Sequence, residues 1–342
     1  VTHGGPGPVG ILGAGAIGSA LAALLSRAGV PVVLVGRESQ VTAIRERGLR
    51  VRTLAGDTRL SIDVREAFSP PPGIVFVTVK TQDLASALAS HRDGLTKSVL
   101  VMCQNGLRSD AIAAAAGGAD RVVGAVVDIH ATALEPGIVD LHYPGPLVLG
   151  RPAGPVDDTV RRVAAVLRGA VPVSLSHNLV GARWFKLIVN LNNALPAVLN
   201  LSMGRAFAHP GLARASVRAM REGIQVATAC GVHLEGLPDV PLVTMSLIKR
   251  LPLRWAAALA TLKIRQVSRR GEVLGSTLQS LRRGRETEIE YLNGEMVRRG
   301  AERGIPVPIN TLLTRLVHEV GETGTHLTVE ELTAHLDGAI DG

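Results

Sequence analysis

The sequence predicts an α/β domain built on a doubly wound, mostly parallel sheet over residues 1–176, followed by an all-α domain over 177–342. Three observations predict it. Short apolar strands recur through the first half, each ending in a glycine or a polar signal. Glycines crowd the first of those strand ends. From about His177 the pattern changes to long helical periodicities, rich in Ala, Leu and Val and separated by Gly and Pro. A chain of 342 residues that is 46% hydrophobic is long enough to bury two cores. Aromatics make up only 2%, so aliphatic side chains must fill them.

Val9-Gly-Ile-Leu12 reads as a short buried strand running into Gly13-Ala14-Gly15-Ala16-Ile17-Gly18, then into the helical pattern Ala20–Leu25. A glycine triplet alone is a weak signal, but the order strand, GxGxxG, helix is the dinucleotide-binding fingerprint of the Rossmann fold. The glycines allow a tight turn and let a pyrophosphate approach the helix N-terminus, where free N–H groups point outward. Residues 13–18 are therefore assigned to the cofactor.

Gly29 stops that helix, and Val30–Val35 reads as a second strand ending in Gly36-Arg37. The acidic residue expected for an NAD ribose is missing from this strand end. A glycine that leaves room and an arginine that offers a bidentate cation suit a 2′-phosphate, which favours NADP(H) over NAD(H). Two more strands, Ile74–Val79 and Val99–Cys103, end in Lys80-Thr-Gln-Asp83 and Gln104-Asn105-Gly106. Open parallel sheets bind ligands at the carboxyl ends of their strands. These four strands, taken as successive, thus bring the Gly13 loop, Arg37, Lys80 and Asn105 to one edge, with Lys80 holding cofactor or substrate.

Further strands are expected in 122–149, broken by turns at Glu135-Pro-Gly137 and Tyr143-Pro-Gly145. His130 and His142 lack helical spacing and a companion carboxylate cluster, so no metal is expected. Cys103 ends a buried strand and reads as a packed thiol.

In the second half one lysine stands out. Of 37 basic residues only five are lysines, and Lys186 sits in the apolar run Trp184-Phe-Lys-Leu-Ile-Val189, followed by Asn190 and Asn193. An ammonium can donate and recover a proton when partly desolvated, whereas a guanidinium stays charged. Spacings of four and then three residues put Lys186, Asn190 and Asn193 on one stripe of a single helix, which Pro196 kinks or ends. So polar a stripe should face a cleft or a ligand. Ser276 and Glu288, twelve residues apart, are candidates to complete the pocket.

The net charge of +8 admits nucleic acid, a membrane surface or a polyanionic small molecule as partner. The basic stretch Arg282, Arg283, Arg285 has no aromatic interleaving, zinc spacing or helix-turn-helix around it, and reads as a solvated face. No apolar run reaches the ~20 residues needed to span a bilayer, and Val1–Pro8 lacks the basic region and apolar core of a signal peptide. Cys103 and Cys230 form no disulfide framework. The expectation is a cytoplasmic protein with a small-molecule partner, without nucleic acid or membrane, compatible with a homodimer through the helical domain.

Taken together, these residues resemble the ketopantoate reductase (2-dehydropantoate 2-reductase) family over nearly the whole chain. The matching segments are Gly13–Gly18, Val79-Lys80, Gln104-Asn105-Gly106, Pro136-Gly137, Trp184–Asn190, Ser276 and Arg285-Glu-Thr-Glu288-Ile-Glu-Tyr-Leu-Asn293-Gly. The resemblance implies NADPH, reduction of a 2-keto acid to its 2-hydroxy acid, and a place in pantothenate biosynthesis. It also implies Lys186 as general acid, Asn190 and Ser276 as substrate contacts, and Asn105 as a contact near nicotinamide and substrate. Glu288 it implies as a polar partner shared by the reacting groups and the cofactor. Asn193, on the same stripe as Lys186, joins the substrate contacts. The pattern departs in three places. Ala194 stands where the family's second helix asparagine commonly falls, with Asn193 one residue earlier; Ser280 stands where an aspartate often follows Ser276; and Val240–Arg270 is longer than in the shorter members.

Overall fold

The computed structural model describes residues 7–268 and 274–341, so the first six residues and Arg270 lie outside the described residues. The chain forms two compact units that divide between Leu179 and Val180.

The first unit carries twelve strands among its described residues: β1 (Val9–Leu12), β2 (Val32–Val35), β3 (Leu49–Thr53), β4 (Gly56–Leu60), β5 (Asp63–Arg65), β6 (Ile74–Val77), β7 (Val99–Met102), β8 (Val122–Val127), β9 (His130–Thr132), β10 (Ile138–Tyr143), β11 (Leu147–Gly150) and β12 (Val173–Leu175). Its helices are α1 (Ala16–Arg27), α2 (Glu38–Arg47), α3 (Leu84–Ser90), α4 (Arg92–Leu95), α5 (Ser109–Gly117) and α6 (Asp158–Leu167). Eight strands form one sheet in the order β12-β11-β8-β7-β6-β1-β2-β5, parallel throughout except where β11 runs against β8. Winding proceeds outward from β1 in both directions, which makes the carboxyl end of β1 the switch point of the sheet.

Alternate strand residues face opposite layers, and both are covered. Leu12, Val33, Val35, Val75, Val77 and Met102 pack on one side with Leu84, Leu88 and Ala113 of α3 and α5. Ile11, Leu34, Phe76, Val101 and Val123 pack on the other side with α1 and α6. That double coverage is why these strands read as continuous apolar runs.

A second sheet, β4-β3-β10-β9, was not foreseen. It lies against the far side of α1, so α1 is packed between two sheets and is buried continuously from Gly18 to Leu25. The four parallel strands read as successive are therefore not successive: β3, β4 and β5 fall between β2 and β6, and β5 extends the large sheet beyond β2. The physical reason is that β4 is almost wholly exposed and has no apolar face to signal it. Leu49, Val51, Ala131, Val139 and Leu141 of this small sheet are buried in the same core as α1, and Arg50 pairs with Asp57 and Arg52 with Asp140 across its strands.

The second unit is helical: α7 (Leu179–Asn190) leads into it, followed by α8 (Ala194–Val198), α9 (Met203–Ala206), α10 (Pro210–Ala229), α11 (Leu242–Arg250), α12 (Leu253–Ser268), α13 (Ser276–Arg282), α14 (Asn293–Arg303), α15 (Pro308–Thr323) and α16 (Val329–Asp341). The 20-residue α10 opens on Pro210, where a missing N–H costs nothing, and α11, α12, α14 and α15 pack around it. The long segment after Val240 forms α11 and α12. No described helix is long and apolar enough to cross a membrane.

Candidate active site

In the first unit the strand register aligns the relevant ends. Leu12 pairs with Val35 on one side and Val77 on the other, and Val77 pairs with Met102. The segments that leave those four residues emerge level with one another, so the sheet brings the Gly13 loop, Arg37, Lys80 and Asn105 to a single edge.

Each glycine of the loop has its own reason. Gly13 takes φ +119° and donates to the Val35 carbonyl at 2.8 Å; a Cβ there would stand 2.8 Å from the Val79 nitrogen. A Cβ on Gly18 would lie 1.9 Å from the Gly13 carbonyl oxygen, which excludes any side chain. Gly15 differs: a Cβ there would meet nothing within 4 Å among the described residues. It is the N-cap residue of α1, and its bare backbone leaves open the space a pyrophosphate needs at a helix N-terminus. The cradle fits a dinucleotide. Ala14 is buried, while Ala16 and Ile17 are partly so.

Gly36 is required by the same loop, since a Cβ would come 2.6 Å from the Ala14 Cβ. Arg37 is the N-cap residue of α2, and its Nη2 lies 3.2 Å from Asp83 with 70% of the side chain exposed. So open an ion pair is worth about 0–1 kcal/mol, which a doubly charged phosphate can outcompete. Sequence reading gave Asp83 no role opposite Arg37.

Two further polar residues brace this edge: Thr78, which sequence reading passed over, and Gln104, which it named only within a strand-end signal. Thr78 Oγ1 donates to the Gly13 carbonyl at 2.8 Å, and Gln104 Nε2 donates to the carbonyls of Val77 at 3.0 Å and Val79 at 2.9 Å. Lys80 and Asn105 follow these anchors, both half-buried. Cys103 is a buried, packed thiol whose Sγ lies 3.6 Å from the Val101 carbonyl. His142 Nε2 lies 3.0 Å from Thr132 Oγ1, and burial pushes this histidine below its ordinary pKa. Among the described residues no group of three His, Cys, Asp or Glu is placed to hold a metal.

In the second unit, from Gly181 to Leu199, only Lys186, Val189, Asn190 and Asn193 are not buried. Offsets of three, four and seven are one helical face, so the expected stripe is real and it is the face that reaches the surface. The helix beneath it is not continuous, however. α7 ends at Asn190, Leu191–Asn193 forms a 3-10 turn, and Pro196 lies inside α8 rather than ending the first helix. Proline has no N–H for the carbonyl four residues back and its ring crowds that carbonyl, so the irregularity falls one turn before it. In the 3-10 turn Asn193 stays three residues from Asn190, on the same side.

The turn brings Asn193 to the segment that carries Ser276. Asn193 Oδ1 lies 3.1 Å from where a Cβ on Gly275 would stand, and Ser276 opens α13 directly after that glycine. Gly275 has an ordinary φ of −61°, so space, not backbone conformation, keeps it a glycine. Ala194 is fully buried and cannot replace Asn193 at the surface. Glu288, half-buried, precedes a 3-10 turn (Ile289–Tyr291) that packs on α14 and α15. The basic stretch is not one solvated face: Arg282 Nε donates to Asn200 Oδ1 at 2.9 Å, and burial together with Arg285 pushes half-buried Arg283 below its ordinary value.

Comparison with known proteins gives these placements a context. Residues 9–154 match the family described as Ketopantoate reductase PanE/ApbA, and residues 178–321 match Ketopantoate reductase PanE/ApbA C terminal. A 2-dehydropantoate 2-reductase of Halobacterium salinarum is 31% identical over 314 residues, covering 90% of this chain and 96% of that protein. One from Pyrococcus horikoshii is 28% identical over 312 residues, covering 90% and 95%. The crystal structure of a PanE/ApbA family ketopantoate reductase from Ralstonia eutropha JMP134 superposes with a TM-score of 0.76 at 32% identity, covering 93% of this chain and all of that one. A D-mandelate dehydrogenase bound to NADH and anilino(oxo)acetate reaches a TM-score of 0.79 at 20% identity, covering 92% and 99%, a likeness of fold alone.

Proposed function

The chain belongs to the ketopantoate reductase PanE/ApbA family, a family of oxidoreductases that use a nicotinamide cofactor, and on that premise we propose that it reduces 2-dehydropantoate to pantoate with NADPH. The observation that carries this reading is the half-buried polar face of Lys186, Asn190 and Asn193, with the Ser276 segment packed beside it. When bound, the reduced nicotinamide supplies a hydride to the C2 carbonyl carbon. The residues of this chain supply the rest. Lys186 gives a proton to the carbonyl oxygen as it becomes an alkoxide, and its positive charge stabilises the negative charge growing there. Asn190 and Asn193 orient the carboxylate or hydroxyl of the substrate, and Ser276 binds its polar end. Asn105 steadies the reacting carbonyl, and Glu288 is the polar partner of the reacting groups and the cofactor. The Gly13–Gly18 loop, Arg37 and Lys80 hold the phosphates and ribose.

Replacing Arg37 by alanine should weaken NADPH binding about tenfold or more, through loss of a charge-assisted contact, and leave NADH binding nearly unchanged. Titrating both cofactors into the variant checks this. Equal weakening of both would remove Arg37 from the 2′-phosphate.

The departures at Ala194 and Ser280 favour one second reading: the same chemistry on a different 2-keto acid. A panel of 2-keto acids, each assayed with NADPH, separates the two. Highest kcat/KM on ketopantoate supports the first, and a clear preference for another acid supports the second.

A further inference from the structure

Behind the stripe that carries Lys186 runs a line of buried polar groups with no part in the chemistry above. Glu222 of α10 is 8% exposed, and its two carboxylate oxygens accept from the backbone N–H groups of Ile309 at 2.9 Å and Asn310 at 3.0 Å. These are first-turn donors of α15, whose N-cap residue Val307 offers them no side-chain acceptor. The Asn310 amide nitrogen donates to Glu222 Oε2 at 2.6 Å and to the Ala219 carbonyl at 3.1 Å. Both of those partners are acceptors, so the orientation of this amide is dictated and its oxygen faces away. There the oxygen accepts from Asn293 Nδ2 at 2.9 Å, and that same nitrogen donates to the Leu191 carbonyl at 3.3 Å. Asn293 is fully buried, and among the described residues its own Oδ1 has no hydrogen-bond partner.

An unpaired buried acceptor destabilises the fold, as does a buried carboxylate; burial pushes Glu222 above its usual range against three hydrogen bonds that pull it down. Leu191 begins the 3-10 turn between Asn190 and Asn193, a stretch whose regular ladder Pro196 interrupts. The next residue is held from α10 as well, by Ser216 Oγ donating to Asn192 Oδ1 at 2.5 Å. Gly223 lets α10 come this close: a Cβ there would lie 2.9 Å from Leu191 Cδ1.

We infer that Glu222, Asn310 and Asn293 form a directional hydrogen-bond line whose last donor, the Asn293 amide on the Leu191 carbonyl, sets the turn that places Asn193 beside Ser276. Asn293 is thus a positioning residue for the 2-keto acid, an inference that rests on the substrate-binding role proposed above for Asn193 and Ser276. Asn310 is its relay and Glu222 its anchor.

The test is Asn293→Leu, close in volume and without donors, read by steady-state kinetics and by hydrogen exchange. The KM for the 2-keto acid should rise about tenfold while the KM for NADPH stays unchanged, because the Gly13–Gly18 loop, Arg37 and Lys80 lie in the other unit and Glu288 comes before the helix that Asn293 opens. Amides of residues 191–195 should exchange faster, with those of α15 beyond its first turn unaffected. A lower thermal midpoint with both KM values unchanged would make Asn293 a packing residue only and overturn the inference. So would unchanged exchange at 191–195. Should the leucine variant not fold, Asn293→Ala is read in the same way. A wild-type protein that turns over no 2-keto acid would sink the proposed function instead, and the exchange comparison would still decide the positioning.

Discussion

Replacing Lys186 by alanine is expected to lower kcat for 2-keto acid reduction by about 10²–10⁴-fold, the span of a lost general acid, equal to about 3–5 kcal/mol of transition-state stabilisation. The size follows from the double use of one ammonium group, as proton donor and as the charge facing the developing alkoxide. Lys186 is half-buried between the fully buried Phe185 and Leu187, so the packing around its backbone does not depend on its head group. The variant should therefore fold normally and bind NADPH with the wild-type Kd. Arginine at the same position should not restore turnover, because a guanidinium keeps its proton. Near-normal turnover in the alanine variant would remove Lys186 from the chemistry.

The second large effect lies in the glycine loop, and it comes as a contrasting pair. Gly18→Ala would set a methyl group 1.9 Å from the Gly13 carbonyl oxygen, so the loop must move. The expected result is a loss of about 1–3 kcal/mol of stability together with cofactor affinity reduced by about 100-fold or more. Gly15→Ala should behave differently. Its added methyl meets no atom of the described residues within 4 Å, and the backbone at φ −86°, ψ −163° suits alanine, so the thermal midpoint should not change. Affinity should still fall steeply, because the methyl occupies the space left for the pyrophosphate. Melting curves with NADPH titrations on both variants check the pair. A Gly15→Ala protein that binds NADPH as tightly as wild type would mean that the pyrophosphate does not lie there.

Much of the fold was legible because burial on both faces writes itself as apolar runs. The strand Val9–Leu12, the loop after it and the helix from Ala16 lie where their pattern puts them. The strand read as Val30–Val35 begins at Val32, just after Pro31. What escaped was β3, β4, β5 and β12, of which a strand such as Gly56–Leu60 or Val173–Leu175 is largely exposed and shows no apolar alternation of its own. At the site, spacing alone found the face of Lys186, Asn190 and Asn193. It did not find the break in the helix beneath, because that depends on how a proline is accommodated in three dimensions. Nor could it find Glu222 and Asn310, whose partners lie about ninety residues away in the chain. Asn293 was visible only as part of a matching segment. Its position under the Leu191 carbonyl is a fact of packing.

The most direct test of the central claim is the steady-state rate of ketopantoate reduction by the wild-type protein, measured with NADPH and NADH in parallel. The account predicts turnover to pantoate with a kcat/KM clearly higher for NADPH. Tight NADPH binding without turnover of ketopantoate, or a strong preference for NADH, would contradict it.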